Sequence, residues 1–165
     1  GSFFQLAPVF GIDKDLGTKK CIGKYVNPVT EGTFAMEDTP NIGESMVENP
    51  GVYCKSANVS VLAVNGKTPL ITLNQFGAGK AMYLSSFRVS KESTRFLMRA
   101  LLTLLGKEDK VRDYICDNLY TECAYYEEID KLVVINNSGD TQKTVIKTAK
   151  GDVTVELAPF ATKVL

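Results

Sequence analysis

Apolar and polar positions alternate through residues 57–64 (ANVSVLAV), and β-branched residues resume the pattern over 69–73 (PLITL). Asn65-Gly66 between them is a tight-turn pair, so the spacing predicts a β-hairpin, with residues 81–85 (AMYLS) as a third strand. The period then changes. Phe96, Leu97, Ala100, Leu101, Leu104 and Leu105 recur three and four residues apart, which predicts a helix capped by Ser90 and stopped at Gly106. Met98 and Leu102 widen its apolar arc beyond one stripe, and such a helix needs cover on more than one side. A shorter, more charged helix is predicted over 108–119, with Val111, Tyr114 and Ile115 inward.

Past residue 118 the patterning is β alone. Runs at 121–126, 131–135, 141–148, 153–157 and 162–165 are parted by NNSGD and KGD, which predicts a meander of about five short strands. Its alternation turns Val155, Leu157, Phe160 and Val164 inward, with Pro159 at a bend. A unit of about 45 residues without a disulfide or metal is small for an independent core, so it is expected to dock on what precedes it. Upstream of residue 57 the pattern is weaker. A helical turn or two is expected over 3–10, closed by Pro8 and Gly11, then a short strand over 21–26 ended by Asn27-Pro28, then loop over 30–50. The fold class read from these elements is mixed α/β and β-rich. It has an α/β unit over residues 1–118 and a small antiparallel β-meander or sandwich over 119–165.

Composition narrows the function classes. The 165 residues are 44% hydrophobic, enough for a real core, and 19 basic residues balance 19 acidic ones, so no bulk field favours nucleic acid or an anionic membrane. No apolar run approaches the ~20 residues that cross a bilayer, and no charged-then-apolar leader is present. The expectation is a soluble cytoplasmic protein with no nucleic-acid or membrane partner. Cys21, Cys54, Cys116 and Cys123 form no CxxC pair, so reduced thiols are expected, and neither metal nor cofactor is called for. Histidine is absent, which removes the Ser-His and Cys-His nucleophile systems and the commonest general base.

Few motifs carry chemistry. Phe76 to Phe87 (FGAGKAMYLSSF) holds a Gly-x-Gly-Lys, but a Walker loop needs four residues between its glycines, Ser or Thr after the lysine, and then a helix. Here Ala81 and a strand follow, so Gly77 and Gly79 are read as a strand-to-strand turn with positive φ, and Lys80 as no phosphate ligand. Glu31, Glu37, Asp38, Glu44 and Glu48 include candidate acids in a polar loop. Tyr125 and Tyr126 are candidates for stacking on a sugar, although alternation puts one of them in the core. Arg88, Arg95 and Arg99 are candidates for an anion clamp or, more plainly, for ion pairs on a helix surface. A cysteine enzyme built on Cys54 or Cys21 would need a histidine that the chain lacks. None of these groups forms a catalytic constellation, and no catalytic, metal or cofactor residue is assigned.

The run GAGKAMYLSSFRVSKESTRFLMRALLTLLGKE (77–108), then TECAYYEEIDKLVVINNSGDTQKT (121–144) and the ending VELAPFATKVL, resemble the C-terminal half of the lacto-N-biose/galacto-N-biose phosphorylases. FFQLAPVFGIDKDLG near the start is similar to a segment of that family's middle domain. The resemblance implies an N-terminal (β/α)8 barrel, a middle domain like a class I amidotransferase, and a small C-terminal β domain. It also implies inverting phosphorolysis of galactosyl-β-1,3-N-acetylhexosamines or galactosyl-rhamnose. The acid and the phosphate and sugar contacts of the family belong to the barrel, which no part of this sequence matches. The chain is therefore expected to begin within the middle domain and to be non-catalytic. Its implied partners are the upstream barrel and a second subunit of a homodimer. The alternative reading is a stand-alone carbohydrate-binding module.

Overall fold

The computed structural model describes residues 2–16, 24–47, 51–111 and 113–165. The chain divides into two compact units, Gly1–Gly106 and Lys107–Leu165.

The first unit is built on an antiparallel sheet. Its strands β3 (Ser60–Asn65), β4 (Thr68–Phe76) and β5 (Gly79–Leu84) lie in the order β3-β4-β5. The predicted hairpin and the predicted turn into the third strand are both present: Asn65 pairs with Thr68 and Phe76 with Gly79, leaving two-residue loops. Gly77 opens the second loop at φ 57°, the requirement of a type II′ turn. Gly79, expected to share that role, instead begins β5 without positive φ. Along β5, Met82 and Leu84 pack toward Phe96 and Ala100, whereas Tyr83 between them faces Ile12, Val52 and Cys54. Period-2 alternation thus gives the sheet two apolar faces, and both are covered.

Helix α2 (Lys91–Leu105) covers the first face. Ser90 accepts from the Ser93 N–H, Ser93 returns a bond to the Ser90 N–H, and Gly106 ends the helix in a left-handed conformation, as its sequence predicts. Which side faces inward is a correction. Ser93, Phe96, Arg99, Ala100 and Thr103 are buried, while Leu97, Leu101 and Leu105 are exposed. Beside α2 lie two 3-10 turns, Phe34–Met36 and Ile42–Ser45, whose Phe34, Ala35, Met36 and Ile42 are buried. The stretch expected as polar loop is loop in backbone but core in four side chains.

The second face is covered by α1 (Ala7–Phe10) and a small ladder of β1 (Ile12–Lys14) with β2 (Val52–Cys54). Pro8 sits in the first turn of α1 and so opens it, while Gly11 closes it as expected. Of the strand expected over 21–26, residues 21–23 lie outside the described residues, and Tyr25 makes one bridge to Cys54.

Asp13 on β1 is 2% exposed, yet its carboxylate accepts the N–H groups of Phe3, Phe4 and Lys14 at 2.9 to 3.2 Å. Burial alone would raise its pKa; the three backbone bonds and Lys55 outweigh that and lower it. A lowered folded pKa stabilises the fold at pH values above the unfolded value of 3.8, and that contribution is lost as pH falls from there through the folded pKa. Asp13→Asn is expected to cost about 2 kcal/mol at pH 7. The gap to the parent should close below pH 4, as measured by urea denaturation at both pH values. A gap that widens in acid would contradict the assignment.

The second unit is a sandwich of two three-stranded antiparallel sheets. One has the order β10-β9-β6 and the other β11-β8-β7. The strands are β6 (Ile115–Cys116), β7 (Thr121–Tyr126), β8 (Lys131–Asn136), β9 (Gln142–Thr148), β10 (Gly151–Leu157) and β11 (Thr162–Val164). Leu132 and Val134 from one sheet meet Cys116, Ile146, Val155 and Leu157 from the other in a single core. The five predicted strands are all present, in a β-rich mixed fold of the expected class. The helix predicted over 108–119 is not: a 3-10 turn spans Glu108–Val111, Tyr114 turns the chain at φ 63°, and β6 pairs with Ile146 and Lys147 of β9. Phe160 is a second correction. It is 72% exposed at φ 54°, because the turn after β10 resets the alternation that placed it inward. Phe160→Ala is accordingly expected to shift stability by no more than about 0.5 kcal/mol, and thermal melting checks this. Val155 and Leu157 are buried as expected, whereas Val164 is 59% exposed.

Candidate functional site

The most organised polar cluster lies in the first unit, where the 3-10 turn at Phe34–Met36 meets α2. Arginines four apart on a helix share a face, so Arg95 and Arg99 both reach the acids just beyond the turn. Arg99 donates from Nε to Asp38 Oδ2 at 2.7 Å and from Nη1 to Glu37 Oε2 at 3.0 Å, and its Nη2 lies 2.6 Å from Asp38 Oδ2. Its guanidinium also stands 4.5 Å from the Phe34 ring centre. Arg95 Nη1 adds a contact to Asp38 Oδ2 at 3.2 Å. The structure thus brings together Glu37, Asp38, Arg95 and Arg99 of the sequence-derived candidates. Arg88 and Glu31 are not part of the cluster, Glu44 stands in the Ile42–Ser45 turn, and Glu48 lies outside the described residues.

Beside this cluster, at the start of α2, is a cleft of about 290 Å³ bordered by Asp38, Thr39, Asn41, Ser90 and Glu92. Its own backbone N–H and the Ser90 hydroxyl hold the Glu92 carboxyl below its ordinary pKa. A carboxylate so held is a poor proton donor near neutral pH. Pro40 and Ile42 also line the wall, so the cleft is apolar over most of its lining, and Asp38 there is already paired with both arginines. No group of three or more His, Cys, Asp or Glu side chains placed to hold a metal occurs among the described residues.

The other candidates are engaged elsewhere. Lys80 Nζ donates to the Thr103 carbonyl at 3.2 Å, at the C-terminal end of α2 where a cation is favoured by the helix dipole. Cys54 is fully buried, and burial pushes its thiol up, away from the thiolate a nucleophile needs; Cys21 lies outside the described residues. In the second unit, Tyr125 stacks on Tyr114 with ring centres 4.1 Å apart and planes 5° from parallel, which occupies one ring face. Its hydroxyl donates to Asp130 Oδ1 at 2.7 Å, a bond that raises the phenol pKa and lowers that of the carboxyl. Tyr126, next on the strand, points outward at 53% exposure, as alternation requires.

Sequence reasoning missed Asn136, which is 1% exposed and bonds to two loops. The signal was available in β8, where Leu132 and Val134 alternate inward and Asn136 is next in the series.

Comparison with known proteins gives the family. The model described as lacto-N-biose phosphorylase central domain matches residues 1–109, and that described as lacto-N-biose phosphorylase C-terminal domain matches residues 114–165. A D-galactosyl-beta-1->4-L-rhamnose phosphorylase of Lachnoclostridium phytofermentans is 32% identical over 99% of this chain and 22% of its own length. A 1,3-beta-galactosyl-N-acetylhexosamine phosphorylase of the same organism is 31% identical over 88% of this chain and 20% of its own. Another, from Bifidobacterium longum subsp. longum, is 28% identical over 92% of this chain and 24% of its own. The chain therefore spans about a fifth to a quarter of the length of these relatives. With both domain models matched in order along nearly its whole length, the chain belongs to the lacto-N-biose phosphorylase family.

Proposed function

We propose that this chain is the non-catalytic central and C-terminal region of an inverting galactosyl disaccharide phosphorylase, supporting an upstream catalytic barrel and contacts between subunits. Its first part is read as a portion of an amidotransferase-like domain, its second as a small β domain, and its compartment as the cytoplasm. The observation that carries the reading is the ordered match of the two domain models, within relatives of which the chain spans 20–24%. The side-chain geometry supports it. In inverting phosphorolysis a phosphate oxygen attacks the anomeric carbon, the glycosidic C–O bond breaks, and an acid delivers a proton to the leaving hydroxyl, yielding α-galactose 1-phosphate. That needs a cationic phosphate pocket facing an acid across the sugar. Here Arg95 and Arg99 are bound to carboxylates, and Lys80 to a backbone carbonyl.

The test is incubation of the purified chain with galactosyl-β-1,3-N-acetylglucosamine and phosphate, assayed for galactose 1-phosphate. The chain alone is expected to yield none, and the complete polypeptide to turn over. Turnover by the chain alone that survives repurification and disappears on substituting Arg95 or Arg99 would overturn the proposal.

A further inference from the structure

Within the first unit, helix α2 covers the sheet with one side and leaves an apolar stripe on the other. Leu97, Met98, Leu101 and Leu105 are 37%, 46%, 51% and 68% exposed. At about 100° per residue these four positions fall within one arc of roughly 100°, opposite the arc of Phe96, Arg99, Ala100 and Thr103. The exposure is therefore a continuous band along the last turns of the helix. A helix that ends at solvent ordinarily sets charged residues there. The charges of α2 lie elsewhere, with Lys91 and Glu92 in its first turn and both arginines turned to Asp38 on the covered side.

We infer that this stripe is the seat of a segment of the same polypeptide N-terminal to this chain, an inference that rests on the reading of the chain as one region of a longer phosphorylase. Two observations choose this occupant. The stripe lies in the part matched by the central-domain model, and most of the length of the matched relatives falls outside the region shared with this chain. Four half-exposed side chains also fall far short of the roughly 800 Å² that each partner buries in a stable complex of separate chains. A tethered segment needs no such area, because its effective concentration is on the order of millimolar. The stripe is aliphatic throughout, so the complementary surface is one apolar face of a strand or helix.

The experiment introduces a thiol at the stripe by Met98→Cys and, separately, Leu101→Cys. Maleimide labelling is followed by peptide mass spectrometry in this chain and in the complete polypeptide at equal concentration. Labelling is expected to be about tenfold or more slower in the complete polypeptide, since protection there requires the covering segment to open. Cys54 is fully buried and labels only if the fold opens, and two separate variants guard against one that fails to fold. Equal rates in the two contexts overturn the inference. So does slow labelling of the isolated chain that quickens on dilution, which assigns the stripe to a second copy, and so does a gene with no N-terminal segment. Labelling reads cover and not turnover. A complete polypeptide without phosphorolysis that still protects the stripe refutes the function while upholding this inference.

Discussion

Arg99→Met is expected to destabilise the first unit by about 3 kcal/mol, at the lower end of the cost of breaking a buried ion pair. The Arg99 side chain is 4% exposed and Asp38 is 18% exposed. Methionine fills much of the volume and keeps the stem contacts, so the cost comes from leaving the Asp38 carboxylate in a poorly solvated site. Two features hold the figure down. Arg95 remains 3.2 Å from Asp38, and Glu37, at 50% exposure, is returned to water at little cost. Hydrogen exchange of the α2 amides measures the loss within this unit. The double variant Arg99→Met with Asp38→Leu separates charge from packing, since removing both partners should recover most of the loss. A double variant as unstable as the single one would locate the cost in packing.

This ion-pair cluster marks the limit of what the pattern could tell. The residues that make it were visible as candidates, but a helix-surface reading of Arg95 and Arg99 follows naturally when aliphatic residues are assumed to face the core. In α2 the inward positions are instead Phe96, two small residues, a threonine and an arginine, and the aliphatic stripe lies outward. Spacing fixes which residues share a helix face, not which face meets the sheet. The hairpins and the ends of α2 were legible because turn and cap chemistry acts within a few residues: Gly66, Gly77, Ser90 and Gly106 do locally what they are chosen for. The elements missed or misread depend on distant partners. Strands β1 and β2 have three residues each and pair across about 40 positions, Lys14 with Val52 being nearest in sequence and Ile12 with Cys54 farthest. The charged run at 108–119 has helical spacing, yet Ile115 and Cys116 are drawn into the β9 ladder some 30 residues later. Long-range pairing overrode a weak local preference in both cases. The same limit applies to function: the resemblance named the family, while composition and spacing offered scattered candidate residues and assigned a role to none of them.

Asn136→Leu is expected to cost the second unit about 4 kcal/mol, since several buried polar groups each lose a partner worth roughly 1 to 3 kcal/mol. The side-chain amide donates to the Asp140 carbonyl at 2.8 Å and the Ala158 carbonyl at 2.9 Å, while its oxygen accepts the Ser138 N–H and hydroxyl, both at 2.9 Å. One side chain therefore holds the turn after β8 and the end of β10, and the Asn136 N–H itself donates to the Ala161 carbonyl at 2.9 Å. Leucine matches the volume but pairs with none of these groups, and at 1% exposure water has little access to replace the bonds. Asn136→Asp isolates the donor half. It keeps the shape and the bonds from Ser138 but sets a carboxylate oxygen against the two carbonyls, so its cost at pH 7 should equal or exceed that of leucine. Hydrogen exchange of the β8 and β10 amides measures both variants against the parent. An aspartate variant within about 1 kcal/mol of the parent would show that the two donated bonds do not hold the strand ends together.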